Sequence, residues 1–213
     1  MPLSVFDLDR TLLRKNSSFE FCKYLYKKGV FDLPFVLYSC LYHIRHRFFG
    51  LDLEALHRKV FQRLLNGKCF RSLSAHIPHF IETHLEDLIY YPALQKLRLA
   101  QHLGHYTMIL SNAPNFLVKE ISERLGVSDW KASEYEVDKD AKLCQISLIL
   151  QGKEKAKCVR DVSRKLKIPK SEITAYSDSF YDLPFLQCAG TAIVVNPDKK
   201  LQKYSLKSSW EEI

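Results

Sequence analysis

A chain of 213 residues, 46% hydrophobic and 26% charged, has an ordinary globular composition, enough for one good-sized core or a core plus a small insert. Six cysteines without a Cys-x-x-Cys pair or any short spacing argue against a zinc ribbon or a disulfide framework, and predict reduced, mostly buried thiols in a cytoplasmic chain. The net charge of +8 is localised: residues 14–71 hold 12 Lys and Arg against 4 Asp and Glu, while the remainder is balanced, so one segment either favours anionic ligands or presents a solvated basic face.

Residues 3–8 read as a buried parallel strand, and a strand starting at Leu3 leaves no room for a signal peptide before it. Its apolar run ends in Asp7 and Asp9, whose i, i+2 spacing puts both side chains on one face. They fall at the carboxyl end of the strand, where open α/β sheets bind ligands. Ser17 with Glu20 three residues on predicts a capped helix start. Helices are expected over residues 17–28, 34–49, 52–64 and 71–86, with breaks at Gly29, Gly50 and Asn66-Gly67 and no strand among them.

From Tyr91 the pattern alternates. A helix is expected over 91–104, a strand over 106–110 ending in Ser111-Asn112-Ala113-Pro114, and a helix after it to Gly126. Strands follow over 130–137 and 143–150, then a helix over 153–166, a strand over 173–176 and a last strand over 192–195. Strands alternating with such helices predict an α/β fold, a three-layer Rossmann-like core with a parallel central sheet. The expected core is residues 1–14 and 90–213, with an all-helical cap over 15–89 inserted after the first strand.

Four polar groups fall past strand ends or at a helix start: Asp7/Asp9/Thr11, Ser111-Asn112, Lys155 three residues after Gly152, and Asp178 with Asp182. Singly, each has a bland explanation, since hydroxyls past strands cap helices and i, i+4 aspartates complement helix N-termini. Together they are the parts of a phosphoryl-transfer site. Two nearby carboxylates repel unless a cation lies between them or one holds a proton. Asp7 and Asp178 offer hard oxygen ligands for Mg²⁺, and Lys155 adds a second positive charge. Ser111 and the N–H groups of the following helix start can hold phosphoryl oxygens. A carboxylate can act as nucleophile, and its i+2 neighbour can protonate the leaving oxygen and then activate water.

In this order the motifs resemble the haloacid dehalogenase-like superfamily of aspartate-nucleophile phosphatases. Gly152-Lys153-Glu154-Lys155, Tyr176-Ser177-Asp178-Ser179 and the tail over 195–201 are similar to its phosphoserine phosphatase-like branch, and the helical insert resembles its first cap type. The resemblance implies that Asp7 is the nucleophile and a Mg²⁺ ligand, and that Asp9 is the general acid/base and lends its backbone carbonyl to the metal. Thr11 would support the turn, Ser111 with Asn112 would bind the phosphoryl group, and Lys155 would offset charge, chosen over Lys153 and Lys157 by the Gly-x-x-Lys spacing. Asp178 would ligate Mg²⁺, and Asp182 would hold it through water or position Lys155. Two departures stand out. Arg10 replaces the usual Gly and either reaches a second anionic group of the substrate or lies in solvent. Asn112-Ala113-Pro114 replaces a Gly pair, which alters the phosphate loop.

The implied function is a Mg²⁺-dependent phosphomonoester hydrolase with an aspartyl-phosphate intermediate and a small phosphorylated substrate, phosphoserine-like or related. Two alternatives are a lipid-phosphate phosphatase of the phosphatidylglycerophosphate type at a membrane surface, and a non-catalytic basic binding module on the same fold. The apolar-then-basic segment 33–47 is too short to span a bilayer but suits either weak membrane-surface contact or a buried cap helix. No nucleic-acid motif is present, and no oligomeric state is implied. His43/His46 and His76/His79 have i, i+3 spacing compatible with a metal, but no Asp, Glu or Cys partner at ligand spacing.

Overall fold

The computed structural model describes residues 1–38 and 53–213. The six runs expected to be strands, with one more at the C-terminal end, assemble into one seven-stranded sheet in the order β4-β3-β2-β1-β5-β6-β7. The strands are β1 (Leu3–Phe6), β2 (Tyr106–Pro114), β3 (Asp129–Val137), β4 (Leu143–Leu148), β5 (Ile173–Ser177), β6 (Thr191–Val194) and β7 (Glu211–Glu212). Every neighbouring pair is parallel except β3–β4, an antiparallel hairpin at one edge. β1 lies at the centre, between β2 and β5, and all four of its residues are buried. That is why it reads as a continuous run rather than an alternation.

Residues alternate across the sheet. Leu3 and Val5 pack with Met108, Leu110 and Ala175 on one face, while Phe6 joins the cluster on the other. This second cluster runs on through Phe21, Leu25 and Phe80, so one face of the sheet and the helical insert share a core.

Between β1 and β2 the described chain is helical: Ser17–Lys27, residues 33–38, Leu53–Val60 with a π-helical turn Phe61–Leu65, Phe70–Ser74, Ile77–Leu88 and Tyr91–His102. The insert leaves and re-enters side by side. Leu13 bridges Ile89, the Arg14 N–H donates to the Leu88 carbonyl, and the Tyr90 N–H donates to that of Leu12. A second tie joins it to the β3–β4 hairpin, where the N–H groups of Phe70 and Leu143 donate to the carbonyls of Ala141 and Lys68.

Several local expectations need correction. Asn16, not Ser17, caps the first helix, accepting from the Phe19 N–H. Ser17 is already helical, and its N–H is drawn to Asp9. Glu20 pairs with Lys23 at 2.7 Å instead of closing a capping box. The helix expected over 71–86 is two helices, because Pro78 lacks an N–H and fits only in the first turn of Ile77–Leu88. The strand after β5 is not the last. A helix at Lys199–Ser208, capped by Asp198, returns the chain to pair β7 with β6. Cys69 and Cys144 are exposed rather than buried, and all five described cysteines are free. Of the helix expected over 34–49 only residues 33–38 are described as helical; His43, His46 and most of the 33–47 segment lie outside the described residues. Among the described residues no helix is long and apolar enough to cross a membrane.

Candidate active site

Sheet register builds the site. Phe6 pairs with Tyr176 on β5 and with Ile109 on β2, and the Asp7 N–H donates to the Tyr176 carbonyl at 2.9 Å. The first residues past β1 therefore meet the ends of β2 and β5. Asp7, Asp9, Arg10, Asn112, Lys155, Asp178 and Asp182, widely separated in sequence, line one cavity of about 280 Å³.

Lys155 organises the floor. It projects from the first turn of the helix Gly152–Leu166, and its Nζ lies 2.6 Å from Asp7 Oδ1 and 2.7 Å from Asp182 Oδ2. Burial pushes the Lys155 pKa down, but Asp182 and Asp7 outweigh this and hold the amine charged. Asp182 Oδ2 also accepts from Ser177 Oγ at 2.7 Å. Gly152 permits this arrangement, because a Cβ there would lie 2.0 Å from the Tyr181 carbonyl oxygen. The start of the helix can thus press against the turn that carries Asp182. Lys153 and Lys157 are exposed.

Asp7 is 5% exposed, and Thr11 Oγ1 donates to its Oδ2 at 3.2 Å. Burial pushes its pKa up to about 7; Lys155 opposes this, and Asp182 and Asp9 add to it. Asp9 is held by the Ser17 N–H at 2.7 Å on Oδ1 and by Asn16 Nδ2 at 2.8 Å on Oδ2. Burial raises its pKa too, against the bond from Ser17. Asp178 is pushed well up by burial and then by the charges of Asp7 and Asp182, with Arg10 and Lys155 opposing.

Arg10 has φ of +66°, the left-handed region where a glycine is at ease. Its side chain lines the cavity and its charge acts on both Asp9 and Asp178, so it does not simply lie in solvent. Ser111 and Thr11 are fully buried and are not among the lining side chains; Ser111 Oγ accepts from the Ala113 N–H at 3.2 Å. The β2–β3 register shifts between Leu110 and Pro114, a bulge that re-aims this segment. Asn16 and Ser177 were missed in the sequence. A polar residue before the helix and a hydroxyl beside Asp178 were the available signals; their contacts, to Asp9 and Asp182, are short in sequence but depend on how the two turns fold.

The charged lining comprises four carboxylates against Lys155 and Arg10. That excess of two negative charges, buried enough to raise carboxylate pKa values, fits one hard divalent cation. Among the described residues no three His, Cys, Asp or Glu side chains form a ready-made cage. A cation such as Mg²⁺ keeps several waters and needs only one or two carboxylates, so the donor set still fits. The His76/His79 pair offers no such set: both rings meet the Tyr24 ring edge-on, at 6.3 and 6.1 Å.

Residues 4–187 match the haloacid dehalogenase-like hydrolases, and the chain belongs to that family. Its sequence is 26% identical over 209 residues to a probable phosphatase of Mycobacterium tuberculosis, covering 96% of this chain and 72% of that protein. Its fold is similar to that of a Bordetella pertussis protein of unknown function, with a TM-score of 0.86, 21% identity and coverage of 99% and 97% of the two chains. It is also similar to a phosphoserine phosphatase solved as a phospho-aspartyl intermediate analogue, with a TM-score of 0.71, 20% identity and coverage of 95% and 90%.

Proposed function

We propose that this phosphatase is a Mg²⁺-dependent phosphomonoester hydrolase that passes the phosphoryl group of a small metabolite through Asp7. The observation that carries the reading is the buried Asp7–Lys155–Asp182 chain, at the floor of a cavity that also holds Asp9 and Asp178. In the family whose motifs these residues match, the strand-end aspartate is the nucleophile.

Asp7 and Asp178, with the backbone carbonyl of Asp9, would hold the metal. Bound there, Mg²⁺ supplies charge neutralisation that lets Asp7 ionise and the phosphoryl group approach. In the first step an Asp7 carboxylate oxygen bonds to phosphorus, the ester P–O bond breaks, and the leaving oxygen takes the proton from Asp9. In the second step Asp9 accepts a proton from water, the water oxygen bonds to phosphorus, and the bond from phosphorus to Asp7 breaks, releasing phosphate. The raised Asp9 pKa suits a group that must hold a proton and then return for one. Lys155 offsets charge between nucleophile and phosphoryl group, and Asp182 positions Lys155. Ser111 and Asn112 belong to the phosphoryl-binding end of β2, with Thr11 supporting Asp7 and Arg10 at the cavity wall. We take residues 15–89 as the cap, 1–14 and 90–213 as the core, and the cytoplasm as the compartment in which free thiols persist.

No described residue favours the lipid-phosphate or binding-module readings. Phosphate release from a panel of phosphomonoesters with Mg²⁺ tests the proposal. D7N should abolish turnover with an unchanged circular dichroism spectrum, and a variant that keeps most of its activity would overturn the nucleophile assignment. D9N should fall by about 10²–10⁴.

A further inference from the structure

The side chains that the cap gives the cavity differ in chemistry from the aspartates of the core. Phe21 and Leu25, one turn apart on the first cap helix, line the cavity, as do Phe31, Phe35 and Leu73. The Phe31 and Phe35 rings stack with centroids 3.7 Å apart. Among the described residues, the cap gives the lining no Asp, Glu, Lys or Arg. Its polar contribution is Ser18, Asn16, already bonded to Asp9, and His57, whose Nδ1 lies 3.3 Å from the Tyr135 hydroxyl.

A substrate's phosphoryl group must lie at the aspartates, so its organic part meets these cap side chains. Arg10 could face the carboxylate of a phosphoamino acid, but its ammonium would meet a cap that, among the described residues, offers no carboxylate, and a buried charge is costly without a partner. An alkyl or aryl group instead gains from contact with Phe and Leu. We propose that, given the phosphatase reading above, the substrates are phosphomonoesters of small, uncharged, apolar alcohols rather than of amino acids. The volume of about 280 Å³ lies at the small end of ligand sites, which suits a compact ester.

The test is kcat/KM with Mg²⁺ for ethyl, butyl and hexyl phosphate beside phosphoserine and phosphoethanolamine. Within the alkyl series the leaving oxygen is chemically constant, so any trend reports contact with the cap side chains. The expected trend is a rise of about fourfold per methylene buried, with hexyl phosphate exceeding both amino compounds. Phe35→Asn should lower turnover of hexyl phosphate more than that of ethyl phosphate. A flat alkyl series, or a preference for phosphoserine or phosphoethanolamine, overturns the substrate class while leaving the phosphatase reading intact. Hydrolysis of none of the five overturns the substrate class, and the phosphatase reading falls only if the wider phosphomonoester panel fails too.

Discussion

Lys155 Nζ lies between Asp7 Oδ1 at 2.6 Å and Asp182 Oδ2 at 2.7 Å, and the side chain is 3% exposed. The ammonium thus ties together two chain segments 175 positions apart. Removing it strands buried carboxylates, and breaking a buried pair costs about 3–5 kcal/mol. K155M should lose about that much stability in urea unfolding. It should also lose about 10²–10³ in kcat/KM, as when a single stabilising donor is removed from a site. D182N should lose less, because Lys155 keeps Asp7. Equal losses in the two variants would mean that Asp182 does more than hold the lysine.

Gly152 is a close-approach glycine. A methyl there would meet the Tyr181 carbonyl oxygen at 2.0 Å and the Pro184 Cδ at 3.2 Å. G152A must therefore move the helix that carries Lys155 away from the Asp182 turn. Overpacking of this kind costs about 1–3 kcal/mol. We expect a lower melting temperature together with a fall in kcat; a variant with wild-type kcat would show that the approach is not needed for positioning.

The acidic floor makes stability depend on pH and metal. Asp7, Asp9 and Asp178 all have raised pKa values, so the folded state binds their protons more tightly than the unfolded chain. Their contribution to stability is then fully present below the ordinary carboxylate range and is lost as pH rises through the folded values, for Asp7 between about 4 and about 7. Thermal melts in EDTA should show D178N gaining on the wild type at pH 8 relative to pH 5. Added Mg²⁺ should stabilise the wild type at pH 8, and D178N should lose most of that gain. An equal response to Mg²⁺ in both proteins would remove Asp178 from the metal site.

Arg10 holds a left-handed backbone with φ of +66°. Left-handed geometry costs an L-residue about 1–2 kcal/mol, part of which glycine returns as extra freedom of the unfolded chain. R10G should therefore raise stability by up to about 1 kcal/mol. It should also raise KM with little change in kcat, because the cavity loses a cation that offsets Asp9 and Asp178. An unchanged KM would place Arg10 outside substrate binding.

The sequence by itself determined the strands β1 to β6, the helices between β1 and β2, and that Lys155 rather than Lys153 or Lys157 stands beside Asp7. These rest on local rules: apolar runs that stop at Asp or Ser, glycines that break helices, and a lysine one turn into a helix. It did not reveal β7, since Glu211-Glu212 carries no apolar pattern and becomes a strand only by pairing with β6. It missed the Asn16 cap because Ser17, the better-looking candidate, has its N–H taken by Asp9. Tertiary structure alone decided that Asp182 meets Lys155 and Ser177, that Arg10 lines the cavity, and that the cap gives apolar side chains to the cavity that holds the aspartates. Apart from the Asp182–Ser177 bond, five residues apart, each of these joins segments far apart in the chain, whose distance is set by packing rather than by residue spacing.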